Sequence, residues 1–152
     1  DLDPIDYDPP RCRERCRGIK SGEGLLTACK SSKGGCSRVT IAGHGVTGCG
    51  VCSRRDDEDA GQLIFGCVRG TGESYHLNEI GACLRTKLNN GGYVRICSCN
   101  LPTHLGMRAD CLQYLATQLK VRVCMCIGTA GPTPRSYCEC NGYWICRDPL
   151  AE

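Results

Sequence analysis

The stretch Cys111 to Cys126, CLQYLATQLKVRVCMC, decides how the chain is read. Leu105, Leu112, Leu115, Ala116 and Leu119 recur at three-, four- and seven-residue spacings, the stripe of a helix with one buried face. The pattern then changes to Val121, Val123, Cys124, Cys126 and Ile127, a β-prone run ending in Cys-x-Cys. Alternate strand residues share a face, so Cys124 and Cys126 are expected to point the same way. A helix cysteine followed by two same-face strand cysteines predicts staples from helix to sheet.

The same order recurs upstream. GACLRTKLNNGGYVRICSC, Gly81 to Cys99, again sets a cysteine on an apolar pattern, then a Gly-rich turn, a short strand and Cys-x-Cys. TACKSSKGGCSRVTIAGHGVTGCGVC, Thr27 to Cys52, is a looser copy with Cys36 inserted and a Cys-x2-Cys ending. These matches predict two or three tandem cysteine units.

Composition explains why such units need staples. The chain has 152 residues and 16 cysteines, a density that signals a disulfide scaffold. It is 41% hydrophobic with cysteine counted, and holds one Phe and one Trp. So thin a core leaves disulfides to supply much of the stability, ~2–4 kcal/mol each when taken singly. The even count predicts that Cys12, Cys16, Cys29, Cys36, Cys49, Cys52, Cys67, Cys83, Cys97, Cys99, Cys111, Cys124, Cys126, Cys138, Cys140 and Cys146 are all oxidised. Disulfides persist in oxidising compartments, which predicts a secreted, extracellular protein. Asp1 then reads as a processed terminus, and no apolar run is long enough to span a membrane.

Metal is the rival use of cysteine. Cys49-x2-Cys52 has a zinc-type spacing, but a second knuckle is missing and His44, His76 and His104 supply no second ligand at the usual spacing. No metal and no cofactor are expected.

Charge is segregated. DLDPIDYDPP, residues 1–10, carries Asp1, Asp3, Asp6 and Asp8 without a base, and reads as an extended acidic tail. Tyr7 between two aspartates is a candidate partner anchor and a candidate sulfation site. RCRERCR follows, with Cys12 and Cys16 on one helical face and Arg11, Arg13, Arg15 and Arg17 around the rest. With Lys20 they form a candidate anion- or partner-binding patch. The alternative is a solvated helix neutralised by the acidic tail.

Boundaries follow from these shifts: an acidic tail at 1–10, a basic cysteine unit at 11–60, and repeated cysteine units at 61–152, able to pack as one domain with 11–60. Short helices are expected near Leu25 to Cys29 and from Glu73 to Leu84, the second weakened by Gly81. Strands are expected at Ser37 to Ile41, Gln62 to Val68 and Tyr93 to Ser98. Asn89-Asn90-Gly91-Gly92 reads as a turn. SYCECNGYWICR, Ser136 to Arg147, reads as a hairpin turning at Asn141-Gly142, with Tyr143 and Trp144 just beyond as candidate anchors. Core filling is the alternative role for Trp144. DPLAE reads as a frayed end. The fold class expected is a small disulfide-rich α+β protein, its short helices stapled to short antiparallel strands and hairpins.

Cys12-x3-Cys16 and the Cys-x-Cys strands resemble parts of the cystine-stabilised αβ motif of defensins and scorpion toxins. That resemblance implies helix-to-strand disulfides. It covers only those pairs, so no family follows from it. CECNGYWIC, Cys138 to Cys146, looks like a fragment of an EGF-like or von Willebrand C-like module.

Three function classes remain. Catalysis needs convergent groups, and neither a nucleophile elbow, a paired base nor a His-Asp pair stands out. The chain is therefore read as not an enzyme, with an unrecognised secreted hydrolase as the third reading. The preferred reading is a secreted binder of toxin, inhibitor or receptor-ligand type, its partner an extracellular protein or a sulfated glycan. The alternative is an extracellular structural component that self-associates by docking its acidic tail on the basic block of a neighbour. Nothing points to nucleic acid.

Overall fold

The computed structural model describes residues 19, 21–45, 50–52, 63–67, 74–75, 77–98, 105–131 and 138–151; in the strands of 44–75 and in 105–110 only the backbone is described. Three helices, α1 (Gly22–Ser31), α2 (Leu77–Lys87) and α3 (Leu105–Leu119), pack on one face of a four-stranded sheet. Its strands are β1 (Cys36–Ala42), β6 (Leu88–Cys97), β7 (Arg122–Gly131) and β8 (Glu139–Arg147), in that spatial order. A small antiparallel meander lies between β1 and α2 in the chain: β2 (His44–Gly45), β3 (Gly50–Cys52), β4 (Leu63–Cys67) and β5 (Ser74–Tyr75). β4 runs beside α1. The α+β class stands.

Strand direction differs from expectation. β1, β6 and β7 run parallel, and only β7 and β8 pair antiparallel. Each parallel strand is preceded by a helix, and returning through a helix to the same end of a sheet makes neighbouring strands parallel. The pairs α1–β1, α2–β6 and α3–β7 thus stand side by side.

The core lies between helices and sheet. Leu112, Leu115, Ala116 and Leu119 of α3 are fully buried against Val123 and Met125 of β7, as the helical stripe required. Leu77, Ile80 and Leu84 of α2, Leu25 and Cys29 of α1, Val94 and Ile96 of β6, and Ile41 of β1 complete it. The Cys29–Cys83 disulfide ties α1 to α2 and joins the 11–60 segment to the rest across the same core.

Local chemistry sets the helix ends. Ser21 caps α1, its Oγ accepting from Gly24 N at 3.1 Å. Gly34 and Gly35, with φ of 81° and 75°, turn the chain from α1 into β1, and Lys87 and Asn89 donate to the Ser32 and Gly35 carbonyls to hold that turn. α3 ends in a Schellman-type cap: Lys120 takes φ 57°, and Val121 N donates to Ala116 O at 3.3 Å. Arg85 of α2 donates to the Leu119 carbonyl.

Two expected turns are absorbed into strands. Asn89 to Gly92 forms a bulge in β6: Cys36 pairs with Leu88 and Arg38 with Tyr93, so four residues stand opposite Ser37, with Gly91 at φ 82°. Asn141-Gly142 lies inside β8, paired with Thr129 and Gly128, and the hairpin connection falls instead between Gly131 and Cys138. The chain end is tied down. Gln113 donates to Asp148 O at 2.8 Å, and Leu150 N to Thr117 Oγ1 at 3.2 Å, so Asp148 to Leu150 lie along α3.

Gly81 lies at the α2–α3 crossing, where a Cβ would stand 2.8 Å from both Cα and O of Leu119. Backbone atoms cannot rotate aside, so overpacking at ~1–3 kcal/mol should outweigh the ~1 kcal/mol that alanine gains in a helix. Gly81→Ala is expected to lower the urea midpoint of the oxidised protein. An unchanged or higher midpoint would show that the helices separate freely.

Candidate functional site

The second face of the sheet carries the unusual chemistry. Residues alternate across β6 and β7, so Val94, Ile96, Val123 and Met125 face the helices while Arg95, Cys97, Cys124 and Cys126 face the other way. These also are buried. The staples found there run strand to strand. Cys124 bonds Cys146, its direct partner across β7 and β8, at a Cα separation of 4.0 Å. Cys126 bonds Cys140, and Cys97 of β6 bonds Cys138 at the start of β8. The sequence pattern predicts helix-to-strand staples for Cys124 and Cys126, and the structure corrects this. β8 stands closer to them than any helix, because both point away from the helical layer. The defensin-like pattern is therefore not followed at these pairs.

The Cys126–Cys140 bond requires the hairpin to fold over. In register, Cys126 faces Trp144 and Cys140 faces Ala130, four residues farther out. A straight ribbon would hold the two cysteines about 13 Å apart, yet their Cα atoms are 5.8 Å apart. The bend lies at the facing pair Gly128 and Gly142. A Cβ on Gly142 would stand 1.9 Å from Ile127 O, and one on Gly128, where φ is 136°, would stand 2.3 Å from Asn141 O. Only two glycines permit that approach. Residues 129–131 and 138–141 then lie back on the sheet as a strap, and Ala130 and Trp144 pack against the Cys97–Cys138 disulfide.

Arg95, on the same face of β6 as Cys97, is 3% exposed. Its Nη2 donates to Thr40 Oγ1 at 3.2 Å, and its guanidinium carbon lies 5.0 Å from the centre of the Trp144 ring. A buried guanidinium over an indole is a cation–π contact of ~0.5–2 kcal/mol. The bend also determines where Tyr143 goes. It is adjacent to Gly142, on the convex side of the bent ribbon, and is 56% exposed. Tyr143 and Trp144 therefore part company: one stands outward at the apex, the other packs under the strap. Apart from Tyr143, the large exposed apolar residue among the described ones is Leu150.

Of the remaining sequence-derived candidates, Tyr7, Arg11, Arg13, Arg15, Arg17 and Lys20 lie outside the described residues, as do Cys12, Cys16, Cys49 and Cys99 and the side chains of Cys52 and Cys67. Cys36 and Cys111 are disulfide-bonded. Among the described residues no group of three His, Cys, Asp or Glu side chains could hold a metal ion, and no helix is long and apolar enough to cross a membrane. Arg95, Thr40 and Gly128 escaped the sequence reading; the one available signal was an arginine at a strand position whose neighbours Val94 and Ile96 are apolar.

No family model matches the chain, and no characterised protein or solved structure shows significant similarity to it.

Trp144 is the chain's single tryptophan, so its emission reports on the surroundings of this one ring, Arg95 and the Cys97–Cys138 disulfide among them. A double-mutant cycle of Arg95→Met and Trp144→Leu should give a coupling of about 1 kcal/mol in unfolding free energy, and Arg95→Met should change the emission. Additive losses would mean that the ring and the guanidinium are mere neighbours.

Proposed function

We propose that the protein is a secreted binder that engages an extracellular partner through the apex of its bent hairpin, and that it is not an enzyme. The observation that carries this reading is the convergence of three disulfides, Cys97–Cys138, Cys124–Cys146 and Cys126–Cys140, on the one hairpin that presents Tyr143. Each removes freedom that binding would otherwise have to remove, so the apex meets a partner already ordered. A rigid tyrosine offers apolar area and a hydroxyl with few torsions to fix, which is why tyrosine recurs among binding anchors. The several disulfides are compatible with an extracellular location. The side-by-side α1–β1, α2–β6 and α3–β7 pairs further support tandem cysteine units as the origin of the scaffold.

The partner class is an extracellular protein or a sulfated glycan, the latter taken by the basic patch of Arg11, Arg13, Arg15, Arg17 and Lys20. The segregated charges of residues 1–20 favour a second reading, a matrix component that self-associates tail to patch. That reading requires an oligomer that dissolves with salt and is lost when residues 1–10 are removed.

A photo-reactive phenylalanine analogue placed at 143, and as a control at 150, tests the hairpin directly in extracellular fluid from the source. The expected result is a saturable adduct from position 143, competed by the unmodified protein but not by Tyr143→Ala. Equal competition by the two, or labelling only from position 150, would remove the apex from the binding surface.

A further inference from the structure

We infer that the outer half of the β7–β8 hairpin is a strap with two disulfide latches released in a fixed order by thiol–disulfide exchange, Cys126–Cys140 first and Cys97–Cys138 second. The order follows from access. A thiolate must reach a sulfur to attack it. Cys97 and Cys138 are each 2% exposed, with Ala130 of the strap and Trp144 packed over them. Cys126 is 1% exposed, but its partner Cys140 is only half-buried. Of the two latches, only Cys126–Cys140 therefore includes a cysteine that is not fully buried while the strap is closed. Cys124–Cys146 does not span the bend: it joins directly facing residues below it.

The reductant is a dithiol. One of its thiolates attacks Cys140 Sγ, the Cys126–Cys140 bond breaks, and a mixed disulfide forms as Cys126 leaves as a thiolate. The second thiolate of the reductant then attacks the reductant's own sulfur in that mixed disulfide. Cys140 leaves as a thiolate, and the reductant ends as a disulfide. Two electrons have passed to the protein, and the two protons lost by the dithiol come to rest on Cys126 and Cys140. The bend at Gly128 and Gly142 then loses its cross-brace, Ala130 can lift from Cys97–Cys138, and the second latch undergoes the same exchange. Opening breaks the packing of Trp144 and Ala130 on Cys97–Cys138 and relaxes the apex that presents Tyr143. That last consequence, loss of binding, rests on the function proposed above; the latch chemistry does not.

The test uses the oxidised full chain and limiting dithiothreitol, with thiols alkylated at intervals and assigned by peptide mass mapping. Cys126 and Cys140 should be alkylated before Cys97 and Cys138, and Trp144 emission should change with the first pair or with the second, never before either. In a Cys126→Ser/Cys140→Ser variant, reduction of Cys97–Cys138 should accelerate about tenfold or more, because the closed state no longer protects it. Labelling of Cys97 and Cys138 first, labelling of both pairs at one rate, or an unaccelerated second latch in the variant would overturn the ordered strap. Should the variant fail to fold, the time course on the unmodified protein decides alone. No binding partner enters either measurement, so a failure here leaves the proposed function to its own test.

Discussion

Strands β6 and β7 lie in the middle of the sheet and are buried on both faces, with Val94, Ile96, Val123 and Met125 toward the helices and Arg95, Cys97, Cys124 and Cys126 away from them. A parallel pair buried in this way needs a cover on each side. Three helices supply the first. A chain with one Phe and one Trp has little apolar material for a second layer, and the described residues show how the gap is met. The hairpin folds back at Gly128 and Gly142, and disulfides hold it down where a larger protein would use side-chain packing.

That arrangement couples stability to presentation. The bend that lays Ala130 over Cys97–Cys138 also turns Tyr143 outward, because the two sides of a bent ribbon cannot both face the sheet. The same hairpin thus covers a disulfide with Ala130, covers a buried arginine with Trp144, and holds an ordered apex in solvent. Arg95 is held within it by geometry: Thr40 on β1 accepts from one end of the guanidinium, and the indole of Trp144 lies against it. Exposed charges count for less in comparison. The Arg122–Asp148 pair, at 3.6 Å with both side chains more than half exposed, adds little beyond helping to place the chain end.

Much of the helical layer was legible in the sequence. Leu112, Leu115, Ala116 and Leu119 form a stripe that only a helix can gather, and they are buried as a group. The helix and strand positions around Cys29, Ile80, Val94 and Val123 followed from the same periodicities. Pairing was not legible. Cys124 and Cys126 do share a face, as alternation requires, but alternation does not say which face, and the helical side was the wrong one. Asn141-Gly142 has the composition of a two-residue turn, yet its glycine serves a close backbone approach inside a strand. Local preference cannot distinguish the two uses, because both need a residue without Cβ. Arg95 was invisible for a similar reason: an arginine in an alternating strand reads as solvent-facing until something folds over it.

The connectivity of the oxidised protein tests the account at its centre. Proteolysis without reduction, followed by mass assignment of the linked peptides, would read it directly. The folded-over hairpin predicts Cys126 joined to Cys140 and Cys97 joined to Cys138, with Cys124 joined to Cys146 below the bend. Cys126 or Cys124 joined instead to a helix cysteine such as Cys111 would contradict it, because those sulfurs would then lie on the helical face and no strap could cover the other.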